Sequence, residues 1–199
     1  MKKLDLSRAI TALKNGQLIV YPTDTLYGIG ADIFNDEAVK KVFKIKKREK
    51  NYPLPIAVCN IKELEKIAFI DENSRKLIKT FLPGKLTIIL KKKKKVSDLI
   101  TSGLDKVAVR IPDNKIALDL LSNFGPLTAT SANIHGKKPP NNIKDISLQL
   151  KNADIAVYID QGKLYGKPST VVDMTVKPFK IIRKGAIPEK KIMDAVSYE

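Results

Sequence analysis

The chain has 199 residues, 43% of them hydrophobic, enough for one domain that buries about 70% of its unfolded surface without disulfide staples. Its 37 lysines and arginines against 21 aspartates and glutamates give a net charge of +16, a field that concentrates anions and admits polyanions as partners. A single cysteine excludes an internal disulfide, no stretch approaches the ~20 apolar residues of a membrane span, and Met1–Leu6 lacks a signal-peptide core, so a soluble cytoplasmic protein without a membrane partner is expected.

In chain order, Ser7 is placed to cap a helix running to Leu13 and stopped by Gly16, followed by a strand over Gln17–Tyr21. Asp36 is expected to cap a second helix, whose Val39, Val42 and Phe43 share a face and which runs into the basic stretch Lys44–Lys50 before Pro53-Leu54-Pro55. A strand over Ile56–Val58, helices over Ile61–Ile67 and Asn73–Phe81, a turn at Pro83-Gly84, and strands over Leu86–Leu90 and Val107–Ile111 come next. A helix over Asn114–Leu121 precedes a strand over Leu127–Thr130. The last third reads as a helix, strands over Ile155–Ile159, Thr170–Asp173 and Lys180–Arg183, and a short C-terminal helix. This alternation without repeats or linkers predicts one α/β domain over residues 1–199, and short turns between the late strands predict a mixed sheet with antiparallel pairs.

Several segments put polar chemistry at strand ends. The first, Tyr21–Gly30, brings Thr23, Thr25 and Tyr27 to a bend whose Gly28 and Gly30 are expected to supply unusual backbone conformations and close ligand approach, or simply to end a strand. Lys46 and Arg48 are suited to grip phosphate, although cations at a helix C-terminus are also favoured by its dipole. Arg110, inside the apolar strand Val107–Ile111, needs an anion; a protein carboxylate or a ligand's would serve, and its place at a strand end favours the ligand. Ser131 and Asn133 either hold phosphate oxygens or close their own turn, while Ser169-Thr170 and Arg183-Lys184-Gly185 repeat the theme.

Other classes find little support. His135 is the only histidine and reads as an exposed turn residue; no Gly-x-Ser-x-Gly elbow, Walker or Rossmann fingerprint occurs, and no His/Cys metal cluster is possible. Cys59, next to the apolar run Ile56–Val58, reads as a buried, inert thiol. The run Lys91–Lys95 follows an apolar strand as an exposed loop would. With no tryptophan and few aromatics beside the basic runs, a single-strand stacking platform is not expected.

Taken in order, Tyr21–Gly30, Lys46-Lys47-Arg48, Pro53-Leu54, Arg110-Ile111-Pro112, Ser131-Ala132-Asn133, Ser169–Asp173 and Arg183-Lys184-Gly185 resemble the YrdC-like family over nearly the whole chain, in its short form. The resemblance implies a twisted mixed parallel/antiparallel sheet flanked by helices around a large basic cavity. It also implies synthesis of threonylcarbamoyl-AMP and pyrophosphate from L-threonine, bicarbonate or CO2 and ATP with Mg²⁺, for the t6A modification of tRNA at position 37. The product would pass to threonylcarbamoyl transferase proteins, with tRNA as a further partner.

By position, the resemblance gives Thr25, Arg110 and Ser169 to threonine with Tyr27 shaping the pocket, and Lys46, Arg48, Ser131, Asn133 and Arg183 to ATP or the adenylate with Thr130 and Pro140 lining the cavity. No residue is expected as a general base. Departures from the family pattern are Glu49 for a common proline, Tyr52 for an asparagine and Ala57 for a frequent histidine. Two other readings compete: an RNA-binding module using the basic cavity without catalysis, and a carbamoyl-transfer relative in metalloenzyme maturation, which the length and the lack of zinc-finger cysteines disfavour.

Overall fold

A computed structural model describes residues 3–46 and 52–196. Helix α1 (Lys3–Lys14) starts four residues before the expected Ser7 cap, which makes Ser7 an exposed residue of the helix interior. The apolar spacing explains this: Leu6, Ala9, Ile10 and Leu13 already form one face, packed on the core. The helix ends as expected at Gly16, whose N–H bonds to the carbonyl of Leu13 (3.0 Å) while that of Gln17 bonds to Ala12 (3.0 Å), two orphan carbonyls satisfied in one turn.

Strand β1 (Leu18–Tyr21) is buried throughout. Leu18 and Val20 face the larger core while Ile19 and Tyr21 face a second one under α1, the period-two alternation of a strand covered on both sides. The next element corrects an expectation: Gly28 and Gly30 belong to a strand, β2 (Gly28–Gly30), antiparallel to β1, and neither has a positive φ. At Gly30 the Tyr21 ring and Ile19 occupy the space of a side chain: a Cβ there would lie 3.0 Å from Ile19 Cγ1 and 3.1 Å from the Tyr21 ring, whereas Gly28 has room for one and lines the cleft. The bend is therefore the segment before them, residues 22–27.

Helix α2 (Asp36–Lys46) buries Val39, Val42 and Phe43 as expected, each contributing about 1.5–3 kcal/mol of apolar transfer energy. Its cap is Asn35 rather than Asp36, since Asn35 Oδ1 accepts the Ala38 N–H at 3.1 Å, and Asp36 instead sits in the first turn where its charge meets the helix dipole. Strand β3 (Ile56–Ala57), α3 (Ile61–Ile67, capped by Asn60), α4 (Glu72–Phe81, capped by Asp71) and β4 (Leu86–Lys91) lie within two residues of their expected bounds. The short α5 (Asp98–Thr101), capped by Ser97, has no sequence-based counterpart because one turn shows no periodicity. Strand β5 (Lys106–Arg110) and α6 (Lys115–Phe124, capped by Asn114) follow.

The expected strand over Leu127–Thr130 is two strands, β6 (Leu127–Thr128) and β7 (Thr130–Ser131), in different sheets. After them come α7 (Ile143–Gln149), β8 (Ile155–Tyr158), β9 (Thr170–Asp173), β10 (Lys180–Arg183) and α8 (Glu189–Val196). One sheet has the order β7-β2-β1-β8 and the other β10-β9-β4-β5-β3-β6. Strands β9 and β10 form the anticipated antiparallel pair, whereas β8 leaves them to lie parallel to β1. The pairs β3·β5 and β4·β9 are also parallel and the rest antiparallel, so the larger sheet reverses direction at three junctions and the smaller is mixed through β8, with α1 and α2 packed against β1 and α4 against β4.

The sheets meet at Thr128. Its backbone N–H bonds to the Ala31 carbonyl (3.0 Å), its hydroxyl donates to the Ile29 carbonyl (2.9 Å), and the same oxygen accepts the Ala31 N–H (3.0 Å). A fully buried side chain thus replaces ladder bonds across the seam, and the next two residues, Ala129 and Thr130, line a cleft.

Candidate active site

The cleft has a volume of about 460 Å³, within the usual range for small-molecule sites. Its walls are the bend at residues 23–28, the turn after β7, and the face of the larger sheet that carries Thr87 and Ile89 of β4, Lys106, Ala108 and Arg110 of β5, and Val171 of β9. Of the residues expected at the site, Thr25, Tyr27, Lys46, Arg110, Thr130, Ser131, Asn133, Ser169 and Arg183 all line it. Arg48 lies outside the described residues. At the proline pair the lining residue is Pro139, and Pro140 is not part of the wall.

Arg110 has an anionic partner within the protein, one of the two partners its sequence context allows. Its Nη2 donates to Asp24 Oδ1 at 2.6 Å, with both side chains 6% exposed, and Nη1 donates to Thr25 Oγ1 at 3.0 Å. The strand delivers the guanidinium to the cavity end of β5, and the bend after β1 brings Asp24 to meet it because a buried cation must be neutralised. Thr23 Oγ1 donates to the Leu26 carbonyl (2.6 Å), so its single proton is committed and Thr25 must be the donor in the Thr23–Thr25 contact at 3.0 Å. The threonines form a directed chain that fixes Thr25 as an acceptor toward Arg110. Two buried atoms of this cluster, Arg110 Nε and Asp24 Oδ2, have no hydrogen-bond partner. Burial pushes the Asp24 carboxyl above its ordinary range, outweighing the pull of Arg110.

Lys46, 3% exposed at the end of α2, reaches the turn after β7. Its Nζ donates to the Ser131 carbonyl and to Asn133 Oδ1, both at 2.8 Å. Ser131 Oγ also donates to Asn133 Oδ1 (2.6 Å), and Asn133 Nδ2 donates to the carbonyls of Ile134 (2.9 Å) and Lys137 (2.6 Å). The asparagine therefore closes its own turn, as one of its two sequence readings expects, and its Oδ1 also holds the lysine ammonium. Nearby, Tyr52 places its ring 5.8 Å from that of His135, which is exposed as expected.

The third cluster joins strand ends of the larger sheet. Arg183 donates through Nε and Nη2 to the Ser169 carbonyl (3.1 and 2.9 Å) and through Nη2 to Ser169 Oγ (3.0 Å), which also contacts Thr87 Oγ1 at 2.8 Å. Burial, followed by repulsion from Arg110, lowers the pKa of Arg183. Two guanidiniums that repel each other across a cavity favour an anion between them. The segment before Ser169 lies tight against the bend: a Cβ on Gly166 would stand 2.2 Å from the Thr25 carbonyl oxygen, so only glycine fits there. Tyr27 contributes its ring, with its hydroxyl turned to the Gly162 carbonyl (2.7 Å) and its pKa pushed up to about 12, chiefly by burial.

Sequence inspection missed Asp24, Thr87 and Lys106. Each carried a signal: Asp24 sits between the two threonines, and Thr87 and Lys106 are polar residues in phase with the cavity-facing positions of β4 and β5. Lys106 is bound to Asp173 Oδ2 at 2.8 Å. Burial raises the Asp173 pKa, but the hydrogen bonds from Lys106 and Thr175 outweigh it and leave the carboxyl below its ordinary range. A lowered folded-state pKa stabilises the protein above the unfolded value and loses that contribution as pH falls through the folded value. Denaturant titrations between neutral and acid pH should therefore show a loss of stability that is smaller in Asp173→Asn; an unchanged acid slope in that variant would refute the assignment. Cys59, half-buried rather than buried, has its thiol pKa raised, first by burial and then by Glu63, which suits an inert thiol.

Among the described residues no helix is long and apolar enough to cross a membrane. The sequence matches the model of the family Sua5_yciO_yrdC, described as "Telomere recombination", over residues 11–185. A Methanocaldococcus jannaschii protein provisionally named threonylcarbamoyl-AMP synthase is 44% identical over 179 residues, covering 89% of this chain and 84% of the relative. The threonylcarbamoyl-AMP synthase of Pyrococcus abyssi is 39% identical over 183 residues, covering 90% of this chain and 54% of its own, so this chain spans about half the length of that relative. The crystal structure of Pyrococcus abyssi Sua5 complexed with L-threonine superposes with a TM-score of 0.94 at 36% identity, over 99% of this chain and 58% of that one.

Proposed function

This chain belongs to the Sua5/YciO/YrdC family, and we propose on that premise that it is a threonylcarbamoyl-AMP synthase, an enzyme of the nucleotidyltransferase type. The observation that carries the reading is the convergence of Thr25, Arg110 and Ser169 with Lys46, Ser131, Asn133 and Arg183 on one cleft. Its substrates are then L-threonine, bicarbonate or CO2, and ATP, and its product serves t6A formation in tRNA by way of threonylcarbamoyl transferase proteins in the cytoplasm.

Thr25, Arg110 and Ser169 hold threonine in this reading. Arg110 keeps N–H groups beyond the two bonded to Asp24 and Thr25, and these meet the amino acid carboxylate. Lys46, Arg48, Ser131, Asn133 and Arg183 hold the phosphates and adenylate, with Thr130 along the wall. The threonine amine, as the free base, adds to CO2 and releases a proton, giving a carbamate. A carbamate oxygen then attacks the α-phosphorus of ATP as the bond to pyrophosphate breaks. Acceleration comes from alignment and from cations facing the charge that develops on the phosphates, so no covalent enzyme intermediate and no general base are assigned.

Among the described residues no group of three or more His, Cys, Asp or Glu is placed to hold a metal, and those lining the cleft include no carboxylate. We place Mg²⁺ with ATP, as a counter-ion carried in on the phosphates of the substrate. The test is pyrophosphate release, which should require threonine, bicarbonate and ATP together. Release at the same rate with threonine or bicarbonate omitted would overturn the reading.

A further inference from the structure

Outside the cleft, the basic run at residues 91–95 leaves the end of β4 and enters a turn flanked by two of the most exposed aromatic rings in the described chain. Phe69 is 55% exposed and Phe34 54% exposed, though neither is near the run in sequence. The Lys93 ammonium stands 5.3 Å from the centre of the Phe69 ring, and that of Lys95 stands 5.8 Å from the centre of Phe34. The fold makes these pairs: Phe69 N–H bonds to the Lys91 carbonyl (2.9 Å) and Lys93 N–H to that of Ile67 (2.8 Å), which pins the turn beside the end of α3. Sequence inspection found no stacking platform because both rings arrive from distant segments.

The neighbouring carboxylates are largely engaged. Lys92 pairs with Asp98, Arg75 with Glu65 (2.9 Å), Lys66 with Glu63 (2.6 Å), and Asp32 Oδ1 accepts the Phe34 N–H (2.9 Å), leaving Asp105 exposed at the base of the turn. Lys91, Lys94 and Lys95 remain exposed, and none of them has a carboxylate partner among the described residues. Exposed rings beside ammonium groups that lack a carboxylate partner match a polymer that alternates flat bases with phosphates. A lipid surface would need a continuous apolar face, which lysines interrupt here.

We propose that Phe34, Phe69 and the Lys91–Lys95 turn form a docking surface for single-stranded nucleic acid, separate from the cleft and independent of the reaction proposed there. Bases stack on the two rings while lysines neutralise the backbone.

The probe is a fluorescently labelled, mixed-sequence single-stranded RNA of about 12 nucleotides, titrated with the full chain by anisotropy at several salt concentrations. Phe34→Ala with Phe69→Ala should weaken binding roughly tenfold or more without changing the salt slope. Changing Lys91, Lys94 and Lys95 to Ala should flatten the slope of log affinity against log salt by ~2, as three lost phosphate contacts require. Pyrophosphate release should stay at the wild-type level in both variants, since neither touches the cleft, and an unchanged melting temperature shows that they fold. Wild-type RNA affinity in the double phenylalanine variant would overturn the proposal. Equal affinity for a duplex of the same charge, or a patch-dependent interaction with anionic vesicles and none with RNA, would overturn it too.

Discussion

Arg110→Ala should cost the protein twice, once in ligand affinity and once in stability. Threonine binding, measured by calorimetry, is expected to weaken by about 2–4 kcal/mol, the loss typical of a desolvated charge contact. Denaturant unfolding should show a further loss of about 3–5 kcal/mol in stability, because truncation leaves the carboxylate of Asp24 buried without its 2.6 Å partner. The two effects separate in a charge-neutral variant combining Arg110→Gln with Asp24→Asn. There most of the stability should return, since no unpaired charge is left inside, while threonine remains poorly bound. Threonine affinity unchanged in Arg110→Ala would remove this residue from the amino acid site, whatever happens to stability.

Lys46→Met should lower ATP affinity by about 2–3 kcal/mol, or roughly 100-fold, while leaving threonine affinity within a few-fold. The side chain is nearly fully buried and bonds to both Ser131 and Asn133, so the substitution removes a cation from the cleft and loosens the turn that presents both polar groups. Methionine keeps the length and apolar contacts of the stem, which confines the change to the ammonium. Arg48→Ala is expected to shift the same nucleotide isotherm. An intact isotherm in either variant would reject the phosphate role of that residue.

The elements legible in the sequence were those whose signals are local. Ile61–Ile67, Thr170–Asp173 and Lys180–Arg183 came out with the bounds they have in the fold, because capping residues, turn residues and β-branched runs act within a few positions. What was not legible depended on partners far along the chain. Nothing near Leu127 announces that its strand changes sheets after Thr128, since the reason is the pairing of Ser131 with Gly28 and of Thr128 with Ile56. The role of Gly30 was hidden for the same reason: the Tyr21 ring that crowds it lies on another strand. At the site, individual polar residues could be named from strand-end chemistry, but the anion paired with Arg110 could not be chosen, because Asp24 and a ligand carboxylate satisfy the same electrostatic need.

The five residues from Leu127 to Ser131 serve two masters at fixed phase. Leu127 and Thr128 are held in register with Ala57 and Ile56, Thr130 and Ser131 with Ile29 and Gly28, and a lone alanine spans the gap. An inserted or deleted residue there would reverse which side of the ribbon each following side chain occupies, turning Ser131 away from the lysine it meets. Length is thus a heritable constraint at this crossing even where composition is free to drift, and homologous chains should vary there by replacement and not by insertion.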